Sequence, residues 1–212
     1  MDGRPARVVT EGMGAIEPAL RVFRTEHAHV FAALWRRLGE FDLVEAAMAD
    51  AYLAAMAAWG SAGVPQNPTS WMATVAMSAT TSVLSRRGGE PTEPGSPTDE
   101  LRALFATCCQ PALGPGERTV AVARAVVGLM PSEISALLGV PDPQVHQALT
   151  QIKKVLRQPG HGLAALPTDA APRAERVQAA EAAVAALAAA PGRDAAEVAA
   201  IARARLDAAL AG

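Results

Sequence analysis

The sequence predicts an all-helical fold, and three observations carry that expectation. Ala and Leu far outnumber the β-branched and aromatic residues that strands prefer, and aromatics make up only 4% of the 212 residues. Apolar residues recur at helical spacing in one segment after another. The breaks between segments fall at Gly, Pro, Ser and Asn, which stop or start helices. With half of its residues hydrophobic and 19% charged, the chain is suited to bury a core and is neither a disordered tail nor a fibrous repeat.

After a loose start to about Glu17, the apolar residues Leu20, Phe23, Val30, Phe31, Leu34 and Leu38 mark an amphipathic helix. Arg21, Arg24, Arg36 and Arg37 lie on its other faces, and Gly39 ends it. A second helix is expected from about Asp42 to Trp59, with Leu43, Ala47, Ala51, Ala54 and Ala58 on its apolar side and Glu45 and Asp50 elsewhere. Gly60 to Gln66 reads as a loop. The third helix opens with Asn67 as cap and Pro68 in the first turn, and its apolar residues are Trp71, Met72, Val75, Ala79 and Val83. These elements delimit a first domain over 18–87.

The stretch RRGGEPTEPGSPT, Arg86 to Thr98, is too rich in Gly, Pro and Ser for regular structure and places an interdomain linker at 88–98. A second domain is expected over 99–158. It begins near Asp99 with Leu101, Leu104 and Phe105, breaks at Pro111 to Gly116, and continues as a helix from Glu117 to Val127. Ser132 to Leu138 forms a short helix that ends at Gly139, and Asp142 with Pro143 starts another that reaches Arg157. Over 171–212, 20 of 42 residues are Ala, and the Pro191-Gly192 break divides the segment into a helical hairpin. The hairpin's apolar faces are shallow, so it must fold back to fix the two domains together or pair with a second copy of the chain.

Nineteen basic against 21 acidic side chains give a net charge of -2, which argues against broad, sequence-blind adhesion to phosphates. The amino terminus, MDGRPARVV, lacks the apolar core of a secretory signal, and no stretch is apolar enough to span a membrane, so a cytoplasmic protein without a membrane partner is expected. Cys108 and Cys109 are adjacent, which suits neither a normal disulfide nor a zinc site; they read as buried free thiols.

The most informative segment is Pro131 to Arg157, a helix, a turn at Gly139 and a second helix whose stripe is Val145, Leu149, Ile152 and Leu156. This is a helix-turn-helix pattern. The opposite face of the second helix offers Gln144, Gln147, Gln151 and Lys154, with His146, Lys153 and Arg157 at its margins. Gln pairs two-pronged with adenine, and Lys153 and Lys154, the only lysines of the chain, lie with Arg157 where phosphates are expected.

Leu101 to Arg157, LRALFATCCQPALGPGERTVAVARAVVGLMPSEISALLGVPDPQVHQALTQIKKVLR, resembles the promoter-upstream-binding domain of extracytoplasmic-function RNA polymerase sigma factors. The likeness is to the subgroup marked by a Cys-Cys and Pro-Ala-Leu segment, here Phe105, Cys108, Cys109, Pro111, Ala112 and Leu113. Phe23 to Trp59 and Gly63 to Ala76 resemble the first domain of the same subgroup. The resemblance implies a sigma-2-like domain, a sigma-4-like helix-turn-helix domain, and promoter DNA and core RNA polymerase as partners. It assigns Glu45 and Asp50 to polymerase binding, Trp71 and its helix to strand opening, and Gln144 to Lys154 to promoter recognition.

The chain departs from that pattern on each functional face. Asn67 to Ser85 holds no charged residue, where gripping a single strand needs cations and flat side chains. The face with Thr74, Met77 and Ser78 therefore reads as an eroded strand-opening surface or as the wall of an apolar pocket, with only Arg86 and Arg87 at its end as DNA contacts. Ala148 and Gln151 stand where the family commonly has Arg, and Ala46, Ala47 and Ala49 thin the acidic cluster around Glu45 and Asp50. His27 and His29 diverge by roughly 160 degrees on a helix, so no metal site is expected. No catalytic spacing stands out and no cofactor is expected. The expected function is a sigma-factor-like transcription regulator weakened in promoter melting. The alternative is a repurposed sigma fold that binds a small molecule or protein, with a biosynthetic or enzymatic role and no DNA binding.

Overall fold

The computed structural model describes residues 9–87, 96–161, 163 and 169–211, with side chains described from residue 19 in the first helix and up to residue 80 in the third. Among the described residues the fold is all-helical. Helix α1 (Val9–Leu38) begins well before Glu17, where a loose start was expected, and closes on Gly39 at φ +73°. Helices α2 (Phe41–Ala62) and α3 (Pro68–Arg87) pack on it. Asn67 caps α3 as expected, its Oδ1 accepting the Ser70 N–H at 2.9 Å.

The buried stripes of α2 and α3 match those expected only in part, and Val83 lies outside the described side chains. In α2 the interior takes Val44, Ala47, Met48, Ala51, Ala55 and Trp59, so Ala47 and Ala51 are buried as expected while Leu43, Ala54 and Ala58 are half-buried. The larger side chains win the interior, because Trp59 stacks near Phe23, with ring centroids 6.5 Å apart, and Met48 is fully enclosed. In α3 the interior takes Met72, Ala76 and Thr80, and Ala79 is exposed. Thr80 is tolerated there because its Oγ1 donates to the Met77 carbonyl at 3.0 Å.

Beyond the segment at 88–95, which lies outside the described residues, Ser96 caps α4 (Pro97–Cys108) by accepting the Asp99 N–H at 3.1 Å. Helix α5 (Pro115–Val122) runs on as a single wide π turn (Ala123–Val127) that ends at Gly128, φ +81°. A Cβ at Gly128 would stand 2.6 Å from the His27 ring, so this position combines a left-handed backbone with a close approach, and only glycine meets both demands. Helices α6 (Pro131–Leu138) and α7 (Asp142–Leu156) follow, then α8 (Ala170–Ala188) and α9 (Ala195–Leu210).

Helix α1 is the shared element. It packs against α2 and α3 and also against α4, the π turn and α9, so one continuous core joins both halves of the chain. The Ala-rich hairpin folds back on this body. The Gly192 N–H donates to the Leu137 carbonyl at 2.9 Å, Arg102 Nε donates to the Ala209 carbonyl at 2.7 Å, and Arg205 donates to the Thr25 carbonyl. Four larger side chains, Val184, Leu187, Val198 and Leu206, anchor it in the core at about 1.5–3 kcal/mol each. Cys108 and Cys109 are buried with free thiols.

Candidate nucleic-acid interface

The site is built on α6 and α7. Glu133 fixes the start of α6 by accepting the Met130 N–H at 2.7 Å, and Gly139 at φ +65° turns the chain toward α7. Ser135 Oγ donates to the Val140 carbonyl at 2.6 Å and ties that turn. Helix α7 buries Val145, Leu149, Ile152, Val155 and Leu156. Its opposite face leaves Gln144, His146, Gln147, Gln151 and Lys154 exposed. Beside this face runs a groove of about 830 Å³ against α5, with Val120, Leu138, Val140 and Val145 as its apolar part and Gln144, Gln147 and Gln151 along one wall.

The other two cations of α7 point elsewhere. Lys153 Nζ lies 2.6 Å from Glu45 Oε2 and 3.2 Å from Asp42 Oδ1, and Arg157 donates Nε at 3.1 Å and also Nη2 to Asp42. Glu45 is buried rather than presented to a partner, and its Oε1 accepts Arg124 Nε at 2.6 Å. Arg124 is itself buried and donates a second hydrogen bond to the Leu129 carbonyl at 3.1 Å. Two acids of α2 and three cations of the second half thus form one network, with Glu45 and Arg124 at its buried end. Asp50, the other expected polymerase contact, is exposed on α2.

Burial pushes the Asp42 carboxyl up, but the hydrogen bonds from Arg157 and Lys153 outweigh it and hold the group below its usual range. Burial likewise works against the charge of Lys153, and Glu45 and then Asp42 overcome it, so its pKa is raised. Both shifts favour the charged forms of Asp42 and Lys153.

The expected strand-opening residues lie apart from α7. Trp71 is half-buried with its ring 5.2 Å from that of Trp59, and Met77 is half-buried against the core. Thr74 and Ser78 are exposed, and their hydroxyls donate to the carbonyls of Ser70 and Thr74 in their own helix at 2.9 and 2.8 Å. The side chains of Arg86 and Arg87 lie outside the described residues.

Two members of the ionic network, Asp42 and Arg124, were not among the candidate site residues read from the sequence. Arg124 left a signal, being the one charged residue in the run from Thr119 to Pro131. A lone Arg in an apolar helix is buried against a partner unless it ends the element. No protein-family model, curated protein or solved structure matches the chain.

Proposed function

We propose that this protein is a sigma-factor-like transcription regulator that reads duplex DNA with α7 and is weakened in promoter melting. The observation that carries the reading is the outward face of α7, where Gln144, Gln147, Gln151 and Lys154 stand exposed on a helix-turn-helix unit. The amide heads supply base-edge contacts and Lys154 a phosphate contact. Weakened melting follows from α3, whose exposed hydroxyls at Thr74 and Ser78 bond to their own helix and offer a single strand no charge. Polymerase is the expected partner of α2, with Asp50 free for it.

The test is a mobility shift of the full chain on promoter duplexes, with and without core polymerase. The reading expects a salt-sensitive complex that weakens uniformly in Lys154→Ala and loses sequence preference in Gln147→Ala. A second reading, a repurposed sigma fold that binds a small molecule or protein, has the groove between α5 and α7 in its favour, since its volume falls in the range of ligand sites. Absence of any DNA complex at low salt, with a ligand or protein copurifying, would establish that reading instead.

A further inference from the structure

We propose that the phosphate backbone of duplex DNA and the acidic end of α2 compete for the same cations, so that docking of α7 on DNA releases Asp42. The inference rests on DNA recognition by α7 and adds its regulation. Arg157 is the pivotal group. It sits at the margin of the recognition face, its side chain is 67% exposed, and it donates two hydrogen bonds to one carboxylate oxygen of Asp42. A phosphate approaching that margin therefore meets a guanidinium already occupied by an acid. Lys153, on the next turn inward, is held by the same Asp42 and by Glu45.

The arrangement opens without disturbing the core. Helices α2 and α7 meet over a narrow front, and Asp42 is a third exposed. An ion pair of that exposure is weak and screened by salt. Beneath it, Glu45 keeps Arg124 as a buried partner when α7's cations turn away. The switch is thus confined to Asp42, Arg157 and Lys153, while the packing of α1 against both halves stays as it is. Reciprocity then sets the sign, because whatever the α2 acids subtract from DNA affinity, bound DNA subtracts from the hold on Asp42. A freed Asp42 gives the amino end of α2 an open carboxylate for a cationic partner surface.

The test compares the wild-type chain with Asp42→Asn in duplex-DNA binding over a sodium chloride series. Asp42→Asn is expected to bind about three- to tenfold tighter at low salt, with the slope of log K against log salt steeper by about one, since salt then weakens the phosphate contact of Arg157 without also loosening a competing pair with Asp42. Equal affinity and equal slope would overturn the proposal. Hydrogen exchange on the wild type guards against a folding defect in the variant. Amides of the first two turns of α2 should exchange faster when duplex DNA saturates the protein, and unchanged exchange with DNA bound refutes the coupling. If the wild type binds no duplex at all, it is the recognition proposal that falls. Inorganic polyphosphate then serves as the probe, where faster exchange in α2 retains the competition and no change ends it.

Discussion

Lys153 of α7 and Glu45 of α2 meet with 2.6 Å between Nζ and Oε2, on the same carboxylate that receives Arg124 from the π turn. Each residue of the pair was expected to meet an outside partner, DNA for Lys153 and, by the family resemblance alone, polymerase for Glu45. In the fold they face each other, and the buried Glu45 carboxylate is reached by two cations from different helices. An acid there with no partner would be strongly disfavoured.

The buried end of the network should therefore dominate its contribution to stability. Arg124→Met is expected to lower the unfolding free energy by about 3–5 kcal/mol, and adding Glu45→Leu should restore most of it, since an apolar pair needs no compensation. Urea denaturation of the single and double variants measures both. A loss under about 1 kcal/mol in the single variant would mean that Lys153 alone satisfies Glu45.

Acid sensitivity should begin at a histidine. His27 is fully enclosed between Phe23 and Phe31, and burial, aided by the charge of Arg124, lowers its pKa to about 3. In the unfolded chain the group titrates near 6.5, so between about pH 6.5 and 3 the unfolded state holds a proton that the folded state refuses. Stability is full above that window and falls with pH inside it, by up to about 1.4 kcal/mol per unit. His29, lowered by burial and by Arg205, acts in the same direction. The contribution of Asp42, whose pKa is depressed, is present above the ordinary carboxylate value near 4 and is lost only below it. Denaturation curves at several pH values should show His27→Leu flattening the slope between about pH 6 and 4.5, and a slope equal to wild type would refute the assignment.

The hairpin is pinned at one backbone contact. A Cβ at Gly192 would stand 2.5 Å from Leu137 Cα and 2.8 Å from its carbonyl oxygen, so Gly192→Val must lift the α8–α9 turn from α6 and break the 2.9 Å hydrogen bond there. A cost of about 2–4 kcal/mol is expected from overpacking together with the lost bond. Hydrogen exchange in α9, around Val198 and Ala202, should rise first, and protection equal to wild type would show that the turn accommodates the side chain.

If α3 has lost strand binding for want of charge, charge should restore part of it. Thr74→Arg with Ser78→Arg places two cations on exposed positions one turn apart, with stability expected within about 0.5 kcal/mol of wild type. Single-stranded DNA should then bind more tightly and with a steeper salt dependence, read by fluorescence anisotropy. No gain in affinity would indicate that the absence of charge is not what limits this surface.

Most of the helical framework was legible in the chain. Asn67, Gly39, Gly139 and the Pro191-Gly192 break mark helix ends by local chemistry that tertiary packing does not alter, and α6, α7 and the hairpin lie within a few residues of their expected bounds. The stripes of α2 and α3 were less legible. Both helices are rich in small residues, so several faces have similar apolar character, and the choice among them fell to Met48, Trp59 and Met72, which fit against α1. The candidate site was legible in part. A step of 100 degrees separates neighbouring residues on a helix, so Lys153 and Lys154 cannot share a face, and only Lys154 lies with the glutamines.

The sequence by itself determined where the helices run and which side chains of α7 point away from its own apolar stripe, because period and caps are local properties of the chain. Tertiary structure alone decided what meets those side chains. Whether Glu45 faces solvent or Arg124, and whether Arg157 is open or bound to Asp42, depends on how α1 seats both halves on one core, and no local pattern encodes the position of a distant helix.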